Sequence, residues 1–231
     1  MPDNPNSESV SLAVSTVIFA LRSDRNAEAT ELRLPLVRRI RDPFQGRWAL
    51  PGGPVAVSES LADSAHRNLR ETTALEPNYL EQLYAFGDVG RAPGARVVSI
   101  IYWALVRSEE ADLATEGENV RWFAADDLPQ LAFDHDTIVR YALWRLRTKM
   151  EYSRIAHAFL GATFTLAELR QVHEAVLQKP LDPANFRRQI EASKTVIPTE
   201  LHIIGGRHRP PRLYRYNSTV ELADIGPLAA P

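Results

Sequence analysis

Gly53-Pro54-Val55-Ala56-Val57-Ser58-Glu59-Ser60-Leu61-Ala62-Asp63-Ser64-Ala65-His66-Arg67-Asn68-Leu69-Arg70-Glu71-Thr72-Thr73-Ala74-Leu75 is the stretch on which the fold turns. The glycine pair Gly52-Gly53 follows Pro51 and marks a turn. Beyond it the residues read as a helix over about Ser58–Thr72. Ser58 suits its N-cap and Glu59 the positive end of its dipole. Leu61, Ala65 and Leu69 recur every fourth residue as one buried stripe. Positions 68, 71 and 72 share a helical face, because residues three and four apart are neighbours. Three carboxylates there would converge on divalent cations, which polarise a phosphate bridge and acidify an attacking water. This chain supplies Asn68, Glu71 and Thr72, and a hard cation such as Mg²⁺ depends on carboxylates for affinity. The spacing therefore predicts a cation site that is largely lost, and hydrolysis lost with it. Residual cation binding is confined to Glu59 and Glu71, with Arg67 and Arg70 competing for both carboxylates.

Strand-like apolar runs surround this segment: Leu12–Leu21, Leu32–Val37, Leu83–Phe86 and Val97–Val106. Arg91-Ala92-Pro93-Gly94 reads as a turn between two of them. The mixture predicts an α/β sandwich around a mixed sheet. A helix of about four turns follows from near Asp136 to Met150, capped by Asp134 or Asp136, with Ile138, Val139, Ala142, Leu143, Leu146 and Met150 on one face.

The charge changes sign at that helix. Residues 1–143 carry a balance of −7 and residues 144–216 one of +7, and the formal net charge of the 231-residue chain is −2. All three lysines, Lys149, Lys179 and Lys194, lie in the basic part. An acidic front and a basic back predict two modules, the second facing a polyanion. The expected domains are a disordered start over 1–10, a first module over 11–150, a second over 151–220 and a tail over 221–231. The chain has no cysteine, so neither disulfides nor thiolate metal sites arise and a cytoplasmic protein is expected. No apolar run approaches the roughly 20 residues of a membrane span. The polar first ten residues predict a frayed end rather than a signal peptide.

The second module has its own grammar. Thr165-Leu166-Ala167-Glu168 is a capping box, followed by Leu166, Leu169, Val172 and Val176 on one helical face. Asp182-Pro183 starts a second helix, with the aspartate as cap and the proline at the first helical position. Leu181 and Phe186 are spaced as a hydrophobic staple. Leu201–Ile204, Gly205-Gly206 and Leu213–Tyr216 then form a hairpin pattern. Helix, helix and hairpin in this order predict a winged helix-turn-helix. With Phe186 and Ile190 inward, a turn of about 100° per residue points Arg188 outward, with Asn185 beside it and Arg187 and Gln189 flanking. Arginine and asparagine match the acceptor patterns of guanine and adenine in the major groove. Lys194 at the helix end and Arg207, His208, Arg209 and Arg212 on the proline-stiffened hairpin turn suit phosphates or a minor groove.

Trp48-Ala49-Leu50-Pro51-Gly52-Gly53, five residues to Glu59, seven to Arg67, then Glu71 and Leu75, resembles the Nudix hydrolase box. Gly53, Glu59, Arg67, Leu69, Glu71 and Leu75 match the family pattern, whereas Asn68, Thr72 and Ala74 depart from it. Nudix folds recognise nucleoside diphosphates linked to a second group. The resemblance therefore implies an effector site drawn from Arg38, Arg39, Phe44, Arg47, Trp48, Gly52, Gly53, Arg67, Glu71, Arg91 and Arg96. The arginines would hold phosphates, and Phe44 and Trp48 would offer flat faces to a base or ribose.

Both modules together resemble the Nudix-related transcriptional regulators of NAD metabolism, bacterial repressors in which a sensor precedes a winged helix. The likeness runs from residue 12 to 217 through Pro43–Gly53, Leu83–Asp88, Phe133-Asp134-His135-Asp136, Phe164–Leu169, Asn185–Arg188 and His208–Tyr214. It implies a homodimer on a palindromic double-stranded operator near NAD biosynthesis or salvage genes. It also implies ADP-ribose or a related nucleotide as effector, with no required cofactor beyond weak Mg²⁺. The Asp136–Met150 helix would be the lever between the modules. A metal-dependent pyrophosphohydrolase acting on ADP-ribose is the alternative.

Overall fold

The computed structural model describes residues 9–23, 30–77, 79–114, 117–152, 155–203 and 210–219. They divide into two compact units: residues up to Phe19 with Arg33–Leu143, and Ala20–Leu32 with Trp144 onward.

The first unit is built on a seven-stranded sheet. Its strands are β1 (Ser11–Ser23), β2 (Thr30–Arg38), β3 (Trp48–Ala49), β4 (Gly52–Pro54), β5 (Tyr79–Phe86), β6 (Val97–Val106) and β7 (Val120–Ala124). The order is β3-β2-β1-β6-β5, with β4 beside β1 and β7 beside β2. In β6, Ile101–Val106 is buried at every position, as a continuous apolar run predicts for a strand covered on both faces. Trp103, Phe19, Ile18, Leu34, Leu36 and Leu69 are among the largest fully buried side chains. Three helices accompany the sheet: α1 (Leu61–Thr73), α2 (Ser108–Asp112) and α3 (His135–Tyr152).

The start of α1 differs from the expectation. Ser60, not Ser58, is the N-cap: its Oγ accepts from Asp63 N at 3.1 Å while Asp63 Oδ2 accepts from Ser60 N at 3.2 Å. The reciprocal pair requires a carboxylate three residues on, which Ser60 has and Ser58 lacks. Glu59 consequently stands ahead of the helix and accepts from Ala56 N at 2.7 Å. Ala74 closes the helix in the left-handed region at φ 58°.

Beyond α3 the second unit holds a 3-10 helix (Ile155–Phe159), followed by α4 (Leu166–Leu177), α5 (Pro183–Ser193), β8 (Val196–His202) and β9 (Arg212–Tyr216). The capping box forms as expected, Thr165 Oγ1 accepting from Glu168 N at 3.1 Å and Glu168 Oε2 accepting from Thr165 N at 2.6 Å. Asp182 Oδ1 accepts from Asn185 N at 2.8 Å, with Pro183 opening α5. Leu169, Val172, Val176, Phe186, Val196 and Tyr214 are buried, and β8 pairs antiparallel with β9. Two helices and a hairpin are the arrangement of a winged helix. The intervening turn, with Arg207, His208 and Arg209, lies outside the described residues.

Candidate functional site

A cavity of about 470 Å³ opens in the first unit between the start of β1, the end of β2 and the Gly52-Gly53 turn. Arg38, Arg39, Arg41 and Arg91 line it, together with Gly52, Gly53, Phe133 and His135. The sheet makes this convergence: β4 lies antiparallel to β1, with Gly53 opposite Val14 and Gly52 opposite Ser15. Five expected effector residues therefore meet, namely Arg38, Arg39, Gly52, Gly53 and Arg91.

The other expected residues stand elsewhere. Trp48 packs edge-on against Phe123 at 5.1 Å, with the Arg121 guanidinium 5.8 Å from its ring. Phe44 meets Phe133 edge-on at 5.0 Å, so it supports a wall residue rather than lining the cavity, and Arg47 sits over Phe44 at 5.4 Å. Arg96 borders a neighbouring cavity formed by the Val89–Arg96 turn. Arg67 and Glu71 are absent from the lining. Phe44 and Phe133 both hold positive φ, 67° and 56°, a backbone region that L-residues other than asparagine, aspartate and glycine seldom enter.

Two arginines of the cavity are held differently. Arg39 donates to Pro43 O at 2.7 Å and lies 4.6 Å from the Phe133 ring centre, and burial pulls its guanidinium below the usual range. Arg91 is 4 % exposed and binds both Asp134 oxygens, at 2.9 Å through Nε and 2.7 Å through Nη2. Its Nη1 donates to Ser99 Oγ at 2.6 Å. Arg91 is thus a fixed positive wall whose donors are committed inside the protein.

His135 was not among the expected site residues, although Phe133-Asp134-His135-Asp136 was legible as a motif. It is 6 % exposed and its Nδ1 accepts from Leu50 N at 2.9 Å. Burial first, then the charges of Arg91 and Arg39, push its pKa down to about 4 despite the opposing influence of Asp134. One buried histidine between two aspartates carries no periodicity signal, so only the segment could have pointed to it.

The helical face that would carry cations does not fit them. Glu59 is paired with Arg67 through two bonds, at 2.9 and 2.7 Å, which hold its carboxyl down to about 2. Arg67 also reaches Pro54 O at 3.2 Å and Glu71 Oε2 at 3.4 Å. Asn68, which stands where a cation-holding carboxylate would be needed, is buried: its Nδ2 donates to Ser64 O at 2.8 Å. The Thr72 hydroxyl turns back to the Asn68 carbonyl. Only Glu71 presents an exposed carboxylate, and a hard cation needs several oxygen ligands. Among the described residues no three His, Cys, Asp or Glu side chains converge as a cation site.

Gly52 is required by close approach. A Cβ there would lie 2.4 Å from Val14 O and 2.8 Å from Ser15 Cα, both backbone atoms. Gly52→Ala should force β1 and β4 apart and cost about 1–3 kcal/mol, as overpacking does. Urea denaturation checks this; an unchanged midpoint would mean that the turn relaxes freely.

In the second unit α5 exposes Asn185, Arg187, Arg188 and Gln189 while burying Phe186. Asn185 Oδ1 accepts from Arg188 Nη2 at 2.7 Å, whereas Arg187 pairs with Glu191 at 2.9 Å. Lys194 is the exposed left-handed cap of α5 at φ 57°. Arg212 is tied into the hairpin through Thr199 O at 2.9 Å and Glu200 at 3.5 Å. Among the described residues of the expected DNA face, Arg187 and Arg212 thus sit in exposed ion pairs, and Asn185, Arg188, Gln189 and Lys194 are exposed beside them.

Comparison with known proteins matches both units. The NUDIX domain model covers residues 12–142, and the NrtR DNA-binding winged helix domain model covers residues 156–216. The chain is 32 % identical over 191 residues to the ADPR responsive transcriptional repressor NtrR of Acinetobacter baylyi, covering 80 % of this chain and 76 % of that protein. It is 32 % identical over 114 residues to an ADP-ribose pyrophosphatase of Methanocaldococcus jannaschii, covering 49 % of this chain and 68 % of that protein. The crystal structure of Shewanella oneidensis NrtR complexed with a 27mer DNA superposes with a TM-score of 0.74 at 34 % identity, covering 89 % of this chain and 93 % of that one. A NUDIX domain followed by this particular winged helix, matched along both, places the chain in the NrtR family.

Proposed function

We propose that the chain is a sequence-specific transcriptional repressor whose grip on its operator responds to ADP-ribose or a closely related nucleotide. The observation that carries this reading is one polypeptide holding an arginine-lined cavity in a NUDIX fold and an exposed Asn185–Arg188 pair on the second helix of a winged helix. Its relatives supply the chemistry of both partners: one is named ADPR responsive, and another is solved with a 27mer DNA. Arg38, Arg39 and Arg41 give the cavity the charge a diphosphate requires. Asn185 and Arg188 carry donors suited to adenine and guanine in the major groove. A homodimer on a palindromic operator at genes of NAD synthesis or salvage completes the reading, since two-fold symmetry matches paired half-sites.

Turnover is not part of this reading. Glu59 is neutralised by Arg67, Asn68 is turned into the fold, and the remaining carboxylate does not make a cation site. The pyrophosphatase relative is the specific reason to test this. ADP-ribose incubated with the protein and Mg²⁺ or Mn²⁺ should remain intact, with Glu71→Gln as control; rapid release of AMP would replace the sensor with a hydrolase.

ADP-ribose should change operator affinity by about 5–150-fold, the span of ordinary allosteric coupling. Fluorescence anisotropy with and without the nucleotide measures it, and identical titrations would remove the switch. Arg188→Ala should weaken specific binding by about 1–3 kcal/mol and leave random DNA nearly unchanged. Equal losses on both duplexes would make Arg188 a backbone contact.

A further inference from the structure

We propose that His135 is the residue that orients the effector, its Nε2–H offering one fixed, uncharged donor to a neutral acceptor of the ligand. The acceptor class is a ribose hydroxyl or a base nitrogen, with the phosphates left to the arginines. This rests on the cavity being the effector site.

The argument starts at Leu50. Its backbone N–H donates to His135 Nδ1 at 2.9 Å. An imidazole that accepts at Nδ1 carries its proton on Nε2, because a neutral ring has one donor and one acceptor. A second proton on the ring would place two N–H groups against each other at Leu50, so geometry alone holds the ring neutral. The charged and titratable groups around it agree: Arg91 and Arg39 oppose protonation, Asp134 favours it, and burial outweighs all three.

Nε2 is the ring nitrogen turned away from Leu50. His135 lines the cavity while only 6 % exposed, and no protein hydrogen-bond acceptor meets Nε2 among the described residues. An N–H beside a cavity that no protein acceptor meets is satisfied by water or by a ligand. Its neighbour Arg91 is already bound to Asp134 and Ser99. Arg39 is partly committed to Pro43 and to the Phe133 ring. Nε2–H is therefore a neutral donor of this wall that the described residues leave available.

Charge then separates the roles. Arg38, Arg39 and Arg41 attract any anionic ligand, but long cationic side chains place it loosely. A rigid neutral donor adds little to attraction and much to orientation, because an analogue lacking the matched acceptor leaves the donor unpaired.

Two substitutions separate the ring's two nitrogens. In His135→Asn the amide oxygen replaces Nδ1 and keeps the Leu50 bond, but nothing replaces Nε2. In His135→Gln the longer amide places a nitrogen near Nε2. Calorimetric titration with ADP-ribose should show about a fivefold to tenfold loss for His135→Asn, as one neutral hydrogen bond gives, and partial recovery for His135→Gln. In the wild-type protein the Nε2–H resonance of His135, assigned by NMR with the two variants, should shift on saturation with ADP-ribose. Wild-type affinity in His135→Asn, or an unmoved Nε2–H resonance in a protein that does bind ADP-ribose, overturns the assignment of His135 alone. Should His135→Asn fail to fold, the wild-type resonance decides. Absence of ADP-ribose binding by the wild type overturns the effector reading itself, and this inference with it.

Discussion

Arg91→Ala is expected to destabilise the first unit by about 3–5 kcal/mol, the cost of leaving one partner of a buried ion pair alone. The Arg91 side chain is 4 % exposed and Asp134 23 %. That asymmetry places the expected loss towards the lower end, because water can reach Asp134 once its partner is gone. Three atoms are orphaned at once, both Asp134 oxygens and Ser99 Oγ, and the cavity loses the wall formed by the guanidinium. Arg91→Lys should recover part of the charge but not the forked geometry, since an ammonium cannot bind both oxygens in the plane of the carboxylate. Urea denaturation of both variants and of Asp134→Asn makes the measurement, and a double-mutant cycle isolates the pair. A loss below about 1 kcal/mol for Arg91→Ala would show an interaction screened like an exposed one. Because Arg91 walls the cavity, ADP-ribose affinity should fall with stability.

The second large effect is acid destabilisation above the range in which carboxylates titrate. His135 and His173 both have folded-state pKa values of about 4, lowered by burial. An unfolded histidine titrates near about 6.5. Between those values the unfolded chain binds more protons than the folded one, so stability rises with pH across the window. The contribution is complete above about pH 6.5 and is lost as pH falls towards about 4. For His135 the full shift corresponds to about 3 kcal/mol. Urea midpoints at pH 7, 6, 5 and 4.5 should decline, and His135→Asn should flatten the decline in the first unit. The Glu59–Arg67 pair acts lower: its depressed carboxyl keeps its contribution until pH falls below about 4.5 and loses it towards about 2. Unchanged midpoints from pH 7 to 5 would mean that both imidazoles stay solvated.

Much of this molecule was legible because local signals agreed with tertiary ones. The β6 boundaries, Val97–Val106, coincide with its apolar run. The caps at Thr165 and Asp182 follow from side chains three residues from their partners. The glycine turn announced a close approach, and Gly52 makes it against Val14. What stayed hidden depends on pairings far apart in the chain. β7 is five residues whose place is fixed by β2, some eighty positions earlier. Arg91 and Asp134 are 43 residues apart and no spacing relates them. Of the four arginines around the cavity, Arg38, Arg39 and Arg91 were legible and Arg41 was not, since nothing in the acidic first module sets it apart. Arg67 and Glu71 belonged to the recognisable box, so they were expected at the ligand. In the fold Arg67 is shared between Glu59 and Glu71.

Phe44 and Phe133 give the cavity rim a tensioned character. Each holds a backbone twist that a large side chain resists, at about 1–2 kcal/mol apiece, and each is kept there by the other's ring and, for Phe133, by the guanidinium of Arg39. Neither residue can unwind alone without breaking that contact. Any occupant of the pocket therefore meets, through Arg39, a rim in which two left-handed backbone positions depend on one shared ring contact.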